Sequence, residues 1–432
     1  MKPIEPIVPI TPTPSRNETG TMADRADHIV IVEALTSGTG LRLVEAAVRR
    51  AARVTFVTRD KGRYANDPLR HLLDSGPVEV HVRETRSTEE LTELFQELWD
   101  GGEFTLIAPN EQYLLPAATA AEKLGIPFLP TASVLLTQDK HAFRQACAAE
   151  SVPAPRSTAA PDVERALAAA EATGYPVVLK PSIGTGSYGV VSAADADELR
   201  WHFPEVRDES DGQGGVPLVE EFLVGPVVSA EVLYSGGVPH VLGISDRIMS
   251  ELPYFMELAI RFPVDLSPEA HERIERICAD LARLMSYENG PAHIEFALTA
   301  DGPKVVEFNP RFAGRNVSTM VSAALDWNVF DGVIASYLGE PVNAPAPVGA
   351  AAEQALYAKR GGRFEDVAGR ELADRVPGLR DIRITARAGD VLPDAKDQRS
   401  EYGTLWCTGA TADEAGIRAA SAAGYLRPVF GD

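Results

Sequence analysis

The chain has 432 residues, of which 45% are hydrophobic and 24% are charged, and its formal net charge is −21 at pH 7. This length allows two or three domains that each bury a core, and the composition is that of a globular protein in water. The negative charge argues against broad nucleic-acid binding and against an anionic membrane surface as a partner, although a local group of amides and lysines can still bind a small anion.

The cysteines and the apolar runs indicate the compartment. Cys147, Cys278 and Cys407 are far apart, odd in number and outside any Cys-x-x-Cys, so we expect buried small residues and neither a disulfide framework nor a zinc site. No apolar run approaches the roughly 20 residues that span a bilayer. Residues 1–27 are rich in Pro and Thr and lack the apolar core of a signal peptide, so we expect a disordered tail on a cytoplasmic protein.

Residues 28–135 alternate short apolar strands with helical segments, which predicts an N-terminal α/β domain with a Rossmann-like parallel sheet. The predicted strands are 29–33, 54–58, 78–82, 104–108 and 126–129, and the predicted helices are 41–52, 87–99 and 116–124. The turn Thr36-Ser-Gly-Thr-Gly40 suggests a dinucleotide fingerprint, but its spacing is incomplete and Glu33 ends the first strand instead of the second. Turn chemistry or a substrate-side loop fits this segment better.

Three further domains follow from changes in periodicity, so the fold class is α/β with a large antiparallel part (α+β). Residues 136–225 combine a connecting helix over 138–150 with a small module. The predicted helices of this module are 162–172 and 194–201, and its predicted strands are 175–180 and 216–222. Residues 226–345 contain a helix over 268–285 and the antiparallel strands 227–233, 238–245, 292–298 and 304–308. Residues 346–432 form a C-terminal subdomain with a helix over 412–423 and strands near 351–357, 382–386 and 403–407.

Two acidic residues and an amide lie on consecutive predicted strands near residue 300. Glu295 lies on the first strand, Glu307 and Asn309 lie on the second, and Ala300-Asp301-Gly302 is a hairpin turn between them. Side chains two apart on a strand share a face, and antiparallel pairing can bring Glu295 opposite the other two. Such oxygen ligands suit Mg²⁺. A solvated face with ordinary salt bridges is the alternative, which the apolar flanking residues disfavour because buried unpaired carboxylates are costly.

A glycine-rich segment follows a strand that ends in lysine, Lys180-Pro-Ser-Ile-Gly-Thr-Gly-Ser-Tyr-Gly189. Glycines let backbone N–H groups approach a ligand closely, and successive amides form an anion-binding concavity. Lys180 can reach a phosphate as a point charge. The segment is not a Walker A loop, because the lysine precedes the glycines. A flexible hairpin is the alternative for this segment taken alone.

A third segment, Val219-Glu-Glu-Phe-Leu-Val-Gly225, runs from a strand into an extended linker. Its backbone N–H and C=O groups can recognise the edge of an adenine, and a carboxylate can accept from the adenine amino group. Charged strand ends are common, so this signal is weak when it is taken alone.

Together, in order and spacing, these segments resemble the ATP-grasp superfamily of carboxylate–amine ligases over nearly the whole chain from His28. The most specific element is Glu307-Phe-Asn-Pro-Arg311 with Glu295 twelve residues upstream. The resemblance implies an ATP-grasp fold with an N-terminal Rossmann-like parallel-sheet domain, a small lid domain and a larger antiparallel-sheet C-terminal domain. It also implies ATP and Mg²⁺ (or Mn²⁺) as cofactors.

Residue roles follow from the same resemblance. Arg311 and Lys180 would be catalytic, with Arg311 steadying the acyl phosphate and the tetrahedral intermediate. The metal ligands would be Glu295, Glu307 and Asn309. The ATP contacts would come from Lys140, Lys180, the loop residues Ser182, Gly184, Thr185, Gly186 and Ser187, and the adenine-side residues Glu220, Glu221, Phe222 and Leu223. Many members carry a glutamate near the ribose where this chain has Val227; Glu231 is the next acid and is counted among the ATP contacts.

The substrate side resembles one branch of the superfamily, the L-amino-acid or dipeptide ligases. The resemblance lies in Asn309-Pro-Arg-Phe-Ala-Gly-Arg315 and in the segment from Ser245 to Glu257. It implies that His293, Glu257, Gly314 and Arg315 face the substrates. A satisfied core histidine and a surface cation are the alternatives for His293 and Arg315. Glu257 and His293 are the candidates for the base that takes the proton of the amine.

The expected activity is ATP-dependent formation of an amide between a carboxylate, of an amino acid, and an amine of an amino acid or peptide, with an acyl phosphate intermediate and release of ADP and phosphate. Three alternatives stay open: an ATP-grasp carboxylase or carbamoylating enzyme, a degenerate nucleotide-binding module, and a dehydrogenase that uses the N-terminal sheet. A homodimer is expected. The substrates stay open, and the high Ala, Arg and Gly usage fits a specialised-metabolite pathway.

Overall fold

The computed structural model describes residues 26–36, 39–99 and 103–431. The predicted tail up to residue 25 and Ser37-Gly38 of the predicted turn lie outside these residues. Within the described ranges no helix is both long and apolar enough to cross a membrane. All three cysteines are buried, as expected, and burial raises the pKa of each thiol, to about 11 for Cys147 and Cys407 and to about 12 for Cys278.

The N-terminal part is an α/β layer structure, as predicted. Its strands are β1 (Ala26–Val32), β2 (Ala51–Thr58), β3 (Val78–Val82) and β4 (Thr105–Ile107), and its helices are α1 (Arg42–Arg50), α2 (His71–Asp74), α3 (Thr88–Trp99) and α4 (Glu111–Leu124). The strands are parallel and lie in the order β3-β2-β1-β4. The apolar run Ile29-Val-Ile-Val32 is fully buried, as in a parallel strand covered on both faces.

Two details of this part differ from the prediction. Residues 126–129 are not a strand; the N–H of Ile126 bonds back to Ala121 at the end of α4, and Ile126 and Leu129 pack in the core without a strand partner. The connecting helix predicted over 138–150 is α6 (Lys140–Ala149), and a separate helix that was not predicted, α5 (Thr131–Gln138), precedes it. Asp139 separates them, because its side chain caps α6 by accepting from the backbone N–H groups of its first turn.

The small module contains β5 (Ser157–Ala159), α7 (Val163–Thr173), β6 (Val177–Pro181), β7 (Val191–Ala193), α8 (Ala196–Gly212) and β8 (Pro217–Glu221). Its antiparallel sheet has the order β5-β8-β6-β7. One face of this sheet packs against α7 and α8 in a core of its own, which includes Ala170, Leu179 and Leu199. The other face carries Lys180 of β6 and Glu220 of β8.

The largest sheet has eight strands. Five of its strands come from the middle of the chain: β9 (Val227–Ser235), β10 (Val238–Met249), β11 (Glu257–Phe262), β12 (Gly290–Thr299) and β13 (Gly302–Asn309). The same part of the chain forms the helices α9 (Pro268–Leu284), α10 (Val317–Leu325) and α11 (Val329–Tyr337). Helix α9 packs on one face, and its Ile274 and Leu281 belong to the same core cluster as Val228 and Ala230 of β9. On the other face α10 and α11 cover only an apolar part, around Leu233, and leave a polar part beside it.

The C-terminal residues extend the same sheet. They form β14 (Ala350–Tyr357), β15 (Gly362–Ala368), α12 (Arg370–Ala373), β16 (Leu379–Ile384), β17 (Val391–Leu392), β18 (Glu401–Gly409), α13 (Ala412–Tyr425) and β19 (Arg427–Phe430). The order of the large sheet is β13-β12-β9-β10-β11-β14-β18-β16, and β17-β15-β19 form a separate small sheet. The domain boundary expected at residue 346 stays a prediction. The large sheet is continuous across this boundary, because β11 and β14 are hydrogen-bonded neighbours.

A substitution at Gly225 tests how closely the small module approaches the large sheet. A Cβ at this position would lie 2.0 Å from the carbonyl oxygen of Leu298 on β12. We therefore expect Gly225→Ala to lower the free energy of unfolding by about 1–3 kcal/mol, because backbone must shift to remove the clash. Urea unfolding followed by circular dichroism measures the change.

Gly424→Ala is the matched control for this substitution. Gly424 lies in α13, and an added Cβ meets no atom within 4 Å. Alanine there should leave stability unchanged or raise it by about 0.5–1 kcal/mol, because alanine loses less backbone entropy in a helix. Equal stability of wild type and Gly225→Ala would contradict the close approach.

Candidate active site

The hairpin of β12 and β13 brings the predicted metal ligands together. In the observed register Glu295 lies opposite Glu307, and His293 lies opposite Asn309, as the alternation predicted. Asn309 Nδ2 donates to Glu307 Oε2 over 3.3 Å, so these two side chains share a face. The intervening Phe308 is buried on the opposite face. The hairpin therefore presents two carboxylates and one amide on one side of the large sheet.

This donor set fits Mg²⁺, which prefers oxygen ligands and usually keeps water or phosphate oxygens among them. Burial would raise the pKa of Glu295, but Arg247 and His293 outweigh burial and lower it to about 2, so the carboxylate is ionised as a metal ligand must be. Among the residues that the structure describes, no three or more His, Cys, Asp or Glu side chains gather as a complete metal site. A cation bound here would therefore also need water or phosphate oxygens.

Lys180 ends β6 and lies buried beside Glu220 of the neighbouring strand β8. Lys180 Nζ is 2.5 Å from Glu220 Oε2, and Arg144 Nε from α6 is 3.2 Å from Glu220 Oε1. Burial lowers the pKa of Lys180 to about 8, although Glu220 acts in the opposite direction. Burial would raise the pKa of Glu220, but Arg144 and Lys180 outweigh burial and the net shift is downward. Two cations thus face one carboxylate, which leaves an excess positive charge.

Lys140 begins α6 and connects the glycine loop with the hairpin. Its Nζ donates to the carbonyl oxygen of Gly184 over 2.6 Å and lies 3.4 Å from Glu307 Oε1. Its backbone N–H donates to the carbonyl of Ser182 over 2.8 Å. The structure therefore places the ammonium group between the predicted phosphate-covering loop and a predicted metal ligand.

The glycine loop itself is anchored at its start. Ser182 is buried, and its Oγ accepts from the N–H of Val216 over 3.1 Å. Further along, Gly186 and Ser187 both have positive φ, at 66° and 58°, a conformation that serine adopts only at an energetic cost. Thr185 between them and the anchor is exposed. The tip of the loop thus has an unusual backbone.

The adenine-side residues separate onto two faces. Glu220 faces Lys180, whereas Glu221 accepts from Lys304 Nζ of β13 over 2.8 Å, since adjacent strand residues point in opposite directions. Phe222 and Leu223 follow the last ladder pair of β8, so their main-chain groups lie outside the sheet. The segment is therefore arranged as the sequence predicted, with its backbone free of the ladder.

A line of polar residues crosses the large sheet beside the hairpin, and we call it the polar strip. It comprises Glu307 and Asn309 of β13, His293 and Glu295 of β12, Ser229 and Glu231 of β9, Ser245 and Arg247 of β10, Glu257 of β11 and Glu353 of β14. Most of these side chains pair with one another. Within the strip, four buried side-chain atoms have no hydrogen-bond partner among the described residues: Ser229 Oγ, Ser245 Oγ, Glu231 Oε2 and Arg247 Nε. Such atoms are costly unless they bind something else, such as a substrate or water.

His293 is the centre of the strip. Its Nδ1 lies 2.7 Å from Glu231 Oε1, its Nε2 lies 2.6 Å from Arg247 Nη2, and Arg247 also forms an ion pair with Glu257. His293 is thus buried with both ring nitrogens held by charged partners, and its role toward the substrates stays a prediction. Glu231, which was predicted among the cofactor residues, is fully buried against His293, so the structure groups it with the substrate-side residues.

Arg315 is largely buried, so the surface-cation alternative is wrong. Its guanidinium lies 2.8 Å from Glu257, 3.5 Å from Glu353 and 2.5 Å from Glu401 of β18. Burial raises the pKa of Glu353 to about 7 although Arg315 opposes this shift, so Glu353 can carry a proton near neutral pH. Arg315 has a φ of 56°, which is rare outside glycine, and it follows the exposed Gly314.

Arg311 meets a residue that the sequence reasoning missed. Its Nη2 lies 2.9 Å from Glu111 Oε2 and 3.3 Å from Asn309 Oδ1. Glu111 is the first residue of α4, and Asn110 caps that helix by accepting from Gln112 N. The predicted helix began at residue 116, so Glu111 was assigned to a loop. An asparagine followed by a glutamate is an N-terminal helix signal that would have found it.

Other functional candidates were also missed. Arg144 lies four residues after Lys140 on α6, and this spacing on one helix face is a signal that could have linked them. Arg247 lies in the segment that was predicted to be substrate-facing, but no role was assigned to it. Glu353 and Glu401 come from C-terminal strands and carry no local motif; only the order of strands in the sheet brings them to Arg315.

The Lys180–Glu220–Arg144 group generates a stability prediction. Glu220→Gln keeps the volume but leaves two buried cations without a counter-charge, so we expect it to lower the free energy of unfolding by about 3–5 kcal/mol. Glu221→Gln is the matched control, because it removes a neighbouring carboxylate whose ion pairs are partly exposed, and it should cost about 1 kcal/mol or less. Urea unfolding of both variants measures the difference, and equal losses would contradict the compensation of two buried cations by Glu220.

Comparison with known proteins gives two domain matches and several relatives. Residues 173–319 match the ATP-grasp domain and residues 354–431 match the L-amino acid ligase C-terminal domain 2. The uncharacterized protein y4rH of Sinorhizobium fredii is 30% identical over 282 residues, 65% of this chain and 58% of that protein. Carnosine synthase 1 of Mus musculus is 26% identical over 281 residues, 56% of this chain and 33% of that protein. The large chain of carbamoyl phosphate synthase from Acidobacterium capsulatum is 30% identical over 207 residues, 47% and 19% of the two chains.

The chain therefore spans well under two thirds of the length of each of these relatives. Among solved structures, the L-amino acid ligase from Bacillus licheniformis superposes with a TM-score of 0.73 at 22% identity and covers 94% of this chain and 100% of that chain. At that identity the likeness shows the fold, and it confirms the predicted ATP-grasp architecture. The chain carries an ATP-grasp domain, which includes Lys180, Glu220 and the β12–β13 hairpin in the predicted order, and an L-amino acid ligase C-terminal domain 2.

Proposed function

We propose that this chain is an ATP-dependent ligase that joins the carboxylate of an amino acid to the amine of an amino acid or peptide, through an acyl phosphate and with release of ADP and phosphate. The position of Lys140 carries this proposal, because its ammonium contacts both Gly184 of the glycine loop and Glu307 of the hairpin. Phosphates covered by the loop would lie next to the carboxylates of the hairpin. The C-terminal domain match and the likeness to carnosine synthase 1 favour amino-acid substrates.

In the first step an oxygen of the substrate carboxylate attacks the γ-phosphorus of ATP, and ADP leaves. Phosphoryl transfer needs positioning and charge compensation more than covalent help from the protein. Lys140 and Lys180 supply positive charge, and the excess charge at Lys180, Arg144 and Glu220 favours an anion there. Mg²⁺ held by the hairpin donors would supply further charge stabilisation.

In the second step the amine nitrogen attacks the carbonyl carbon of the acyl phosphate, phosphate leaves, and the nitrogen loses its proton. Arg311 would stabilise the oxyanion that develops on the carbonyl oxygen. In the structure this guanidinium is paired with Glu111, 2.9 Å away, so the reacting anion has to compete with a carboxylate from α4. The ion pair with Glu111 keeps the guanidinium in place before the intermediate forms.

His293 and Glu257 are the two candidates for the group that receives the proton of the amine. Burial would lower the pKa of His293, but Glu231 and Glu295 raise it to about 9. In contrast, the 2.6 Å contact between Nε2 and Arg247 requires that nitrogen to accept, which the protonated ring cannot do. A proton on Nε2 and the Arg247 contact therefore exclude each other. The ring would take up the proton when a bound substrate draws Arg247 away.

A carboxylating or carbamoylating activity is the second candidate, and the likeness to the large chain of carbamoyl phosphate synthase favours it. That candidate and amide ligation share the acyl-phosphate step and differ in the carboxylate that is activated. Bicarbonate would take the place of the amino acid. The homodimer and the cytoplasmic location stay predictions in either case.

Phosphate release from ATP and Mg²⁺ with a panel of amino acids and short peptides, singly and in pairs, tests the proposal. We expect ADP and phosphate only with certain pairs, together with a product mass equal to the two substrates minus water. A bicarbonate arm without a second amino acid tests the carboxylating candidate. AMP and pyrophosphate as products would overturn the acyl-phosphate mechanism.

Arg311→Ala is the control that separates catalysis from nucleotide binding in this assay. Loss of an oxyanion-stabilising group should lower turnover by roughly 10²- to 10³-fold while nucleotide binding persists. Full turnover of this variant would contradict the role of Arg311. Arg375→Gln, an exposed arginine in the C-terminal domain, should turn over like wild type.

The pKa of Lys180 predicts a pH dependence of nucleotide binding. Because burial lowers this pKa to about 8, the free protein loses the positive charge above pH 8. Binding of a phosphate chain favours the charged form, so we expect the dissociation constant of a non-hydrolysable Mg-ATP analogue to rise by up to about tenfold per pH unit above 8. Calorimetry between pH 7 and 9.5 measures the slope.

Lys180→Arg is the matched variant for this titration. Arginine stays charged over the whole range, so its dissociation constant should be flat with pH even if binding is weaker overall. A flat wild-type profile up to pH 9.5 would contradict a phosphate role for the Lys180 ammonium.

A further inference from the structure

A turn in the C-terminal domain lies against the small module. We call residues 396–401 the C-terminal turn; it contains a 3₁₀ turn over Gln398–Ser400 and leads into β18. The N–H of Gln398 donates to the carbonyl of Gly186, at the tip of the glycine loop, over 3.3 Å. Arg399 Nη1 donates to Glu209 of α8 over 3.0 Å. The turn thus contacts both the loop and the helix behind it.

The contact with the loop tip is close and includes an aromatic ring. The guanidinium of Arg399 lies 4.7 Å from the centre of the Tyr188 ring, which is a favourable cation–π distance. A Cβ at Gly186 would lie 3.0 Å from the Tyr188 ring and 3.1 Å from Gln398 Oε1, so a larger residue would push the turn and the loop apart. The positive φ of Gly186 and this close approach both require glycine.

The C-terminal turn is rigid before it meets the loop. Asp397 is buried and accepts from Arg399 through both of its carboxylate oxygens, from Nε over 3.0 and 3.1 Å. Ser400 Oγ donates to the carbonyl of Asp397 over 2.8 Å, and the carbonyl of Ser400 accepts from the N–H of Ala358 beside β14. Arg399 is therefore held in one orientation, so contact with Tyr188 loses little side-chain entropy.

The same turn is anchored on its other side at the polar strip. Glu401, two residues after Arg399, lies 2.5 Å from Arg315 Nη2. A second ion pair, Lys396 with Glu205 of α8 at 3.4 Å, binds the beginning of the turn to the small module. The turn is thus a physical bridge from the substrate-side arginine to the loop that would cover ATP.

We propose that the C-terminal turn positions the glycine loop over bound ATP, with Arg399 and Tyr188 as positioning residues, so that nucleotide affinity depends on the C-terminal domain. The inference rests on the proposed function in one respect, that the loop covers ATP. The tip of the loop has an unusual backbone, and both the carbonyl of Gly186 and the ring of Tyr188 contact the C-terminal turn, so a partner from outside the module selects its closed position.

Arg399→Gln tests this proposal, with Arg375→Gln as the control that removes the same charge from an exposed position in the same domain. We expect Arg399→Gln to weaken binding of Mg-adenylyl imidodiphosphate by about three- to tenfold in calorimetry, because the ion pair and the ring contact are partly exposed. Hydrogen exchange of peptides that contain residues 182–190 should become faster, and exchange in the N-terminal sheet should not change. Arg375→Gln should match wild type in both measurements.

Two further variants separate positioning from general stability. Tyr188→Phe keeps the ring and should bind the nucleotide analogue like wild type, whereas Tyr188→Leu should weaken binding as Arg399→Gln does, with the turn left intact. If Arg399→Gln does not fold, Tyr188→Leu carries the test. In active protein these changes should raise the KM for ATP and leave the KM of the amine substrate unchanged.

Unchanged affinity and unchanged loop exchange in Arg399→Gln and Tyr188→Leu would overturn the proposal. Failure of this inference and failure of the proposed function are distinguishable, because the readout is nucleotide binding and not ligation. Wild type that does not bind the Mg-ATP analogue would contradict the proposed function and with it this inference. Wild type that binds it, with all variants equal, would contradict the inference alone.

Discussion

The buried carboxylates on the functional face of the large sheet depend on two arginines, Arg247 and Arg315. Arg247 pairs with Glu257 and Glu295, and Arg315 pairs with Glu257 and with acids from β14 and β18. Without these partners the carboxylates would have to take up protons or move to water, since an unpaired buried charge is costly. The planar guanidinium suits this task because it can serve several carboxylates at once. The ion pairs of Arg315 thereby link β11, β14 and β18, which are far apart in the sequence.

Charge is uneven between the two halves of the candidate site. Beside the glycine loop, Lys180 and Arg144 share one carboxylate and leave a positive excess, whereas the polar strip and its neighbour Glu401 contain more carboxylates than cations. The first region suits phosphates and the second suits a divalent cation and an ammonium group. Lys140 lies at the border, in contact with Glu307 on one side and with the loop on the other. This separation of charge is what an enzyme needs if it brings a nucleoside triphosphate to an amino acid.

Much of the site was predictable because it is built from local patterns. The hairpin of Glu295, Glu307 and Asn309 follows from alternation along two strands and a two-residue turn, and the observed register matches it. Lys180 and its glycines lie in one uninterrupted segment. Glu111, Glu353 and Glu401 have no such pattern, because their positions depend on where α4 begins and on the order of the strands, which local periodicity does not reveal.

By itself the sequence determined the parallel N-terminal sheet and the residues of the hairpin and the glycine loop, because periodicity and turn chemistry act over a few residues. The ATP-grasp fold class was implied by the resemblance that the order and spacing of these segments carry. Only the tertiary structure decided that Glu231 lies against His293, that Arg311 meets Glu111, and that the C-terminal turn lies on the glycine loop. These contacts join residues from about 60 to 210 positions apart. Contacts over such separations are selected by the burial and charge balance of the whole fold, and no short segment carries that information.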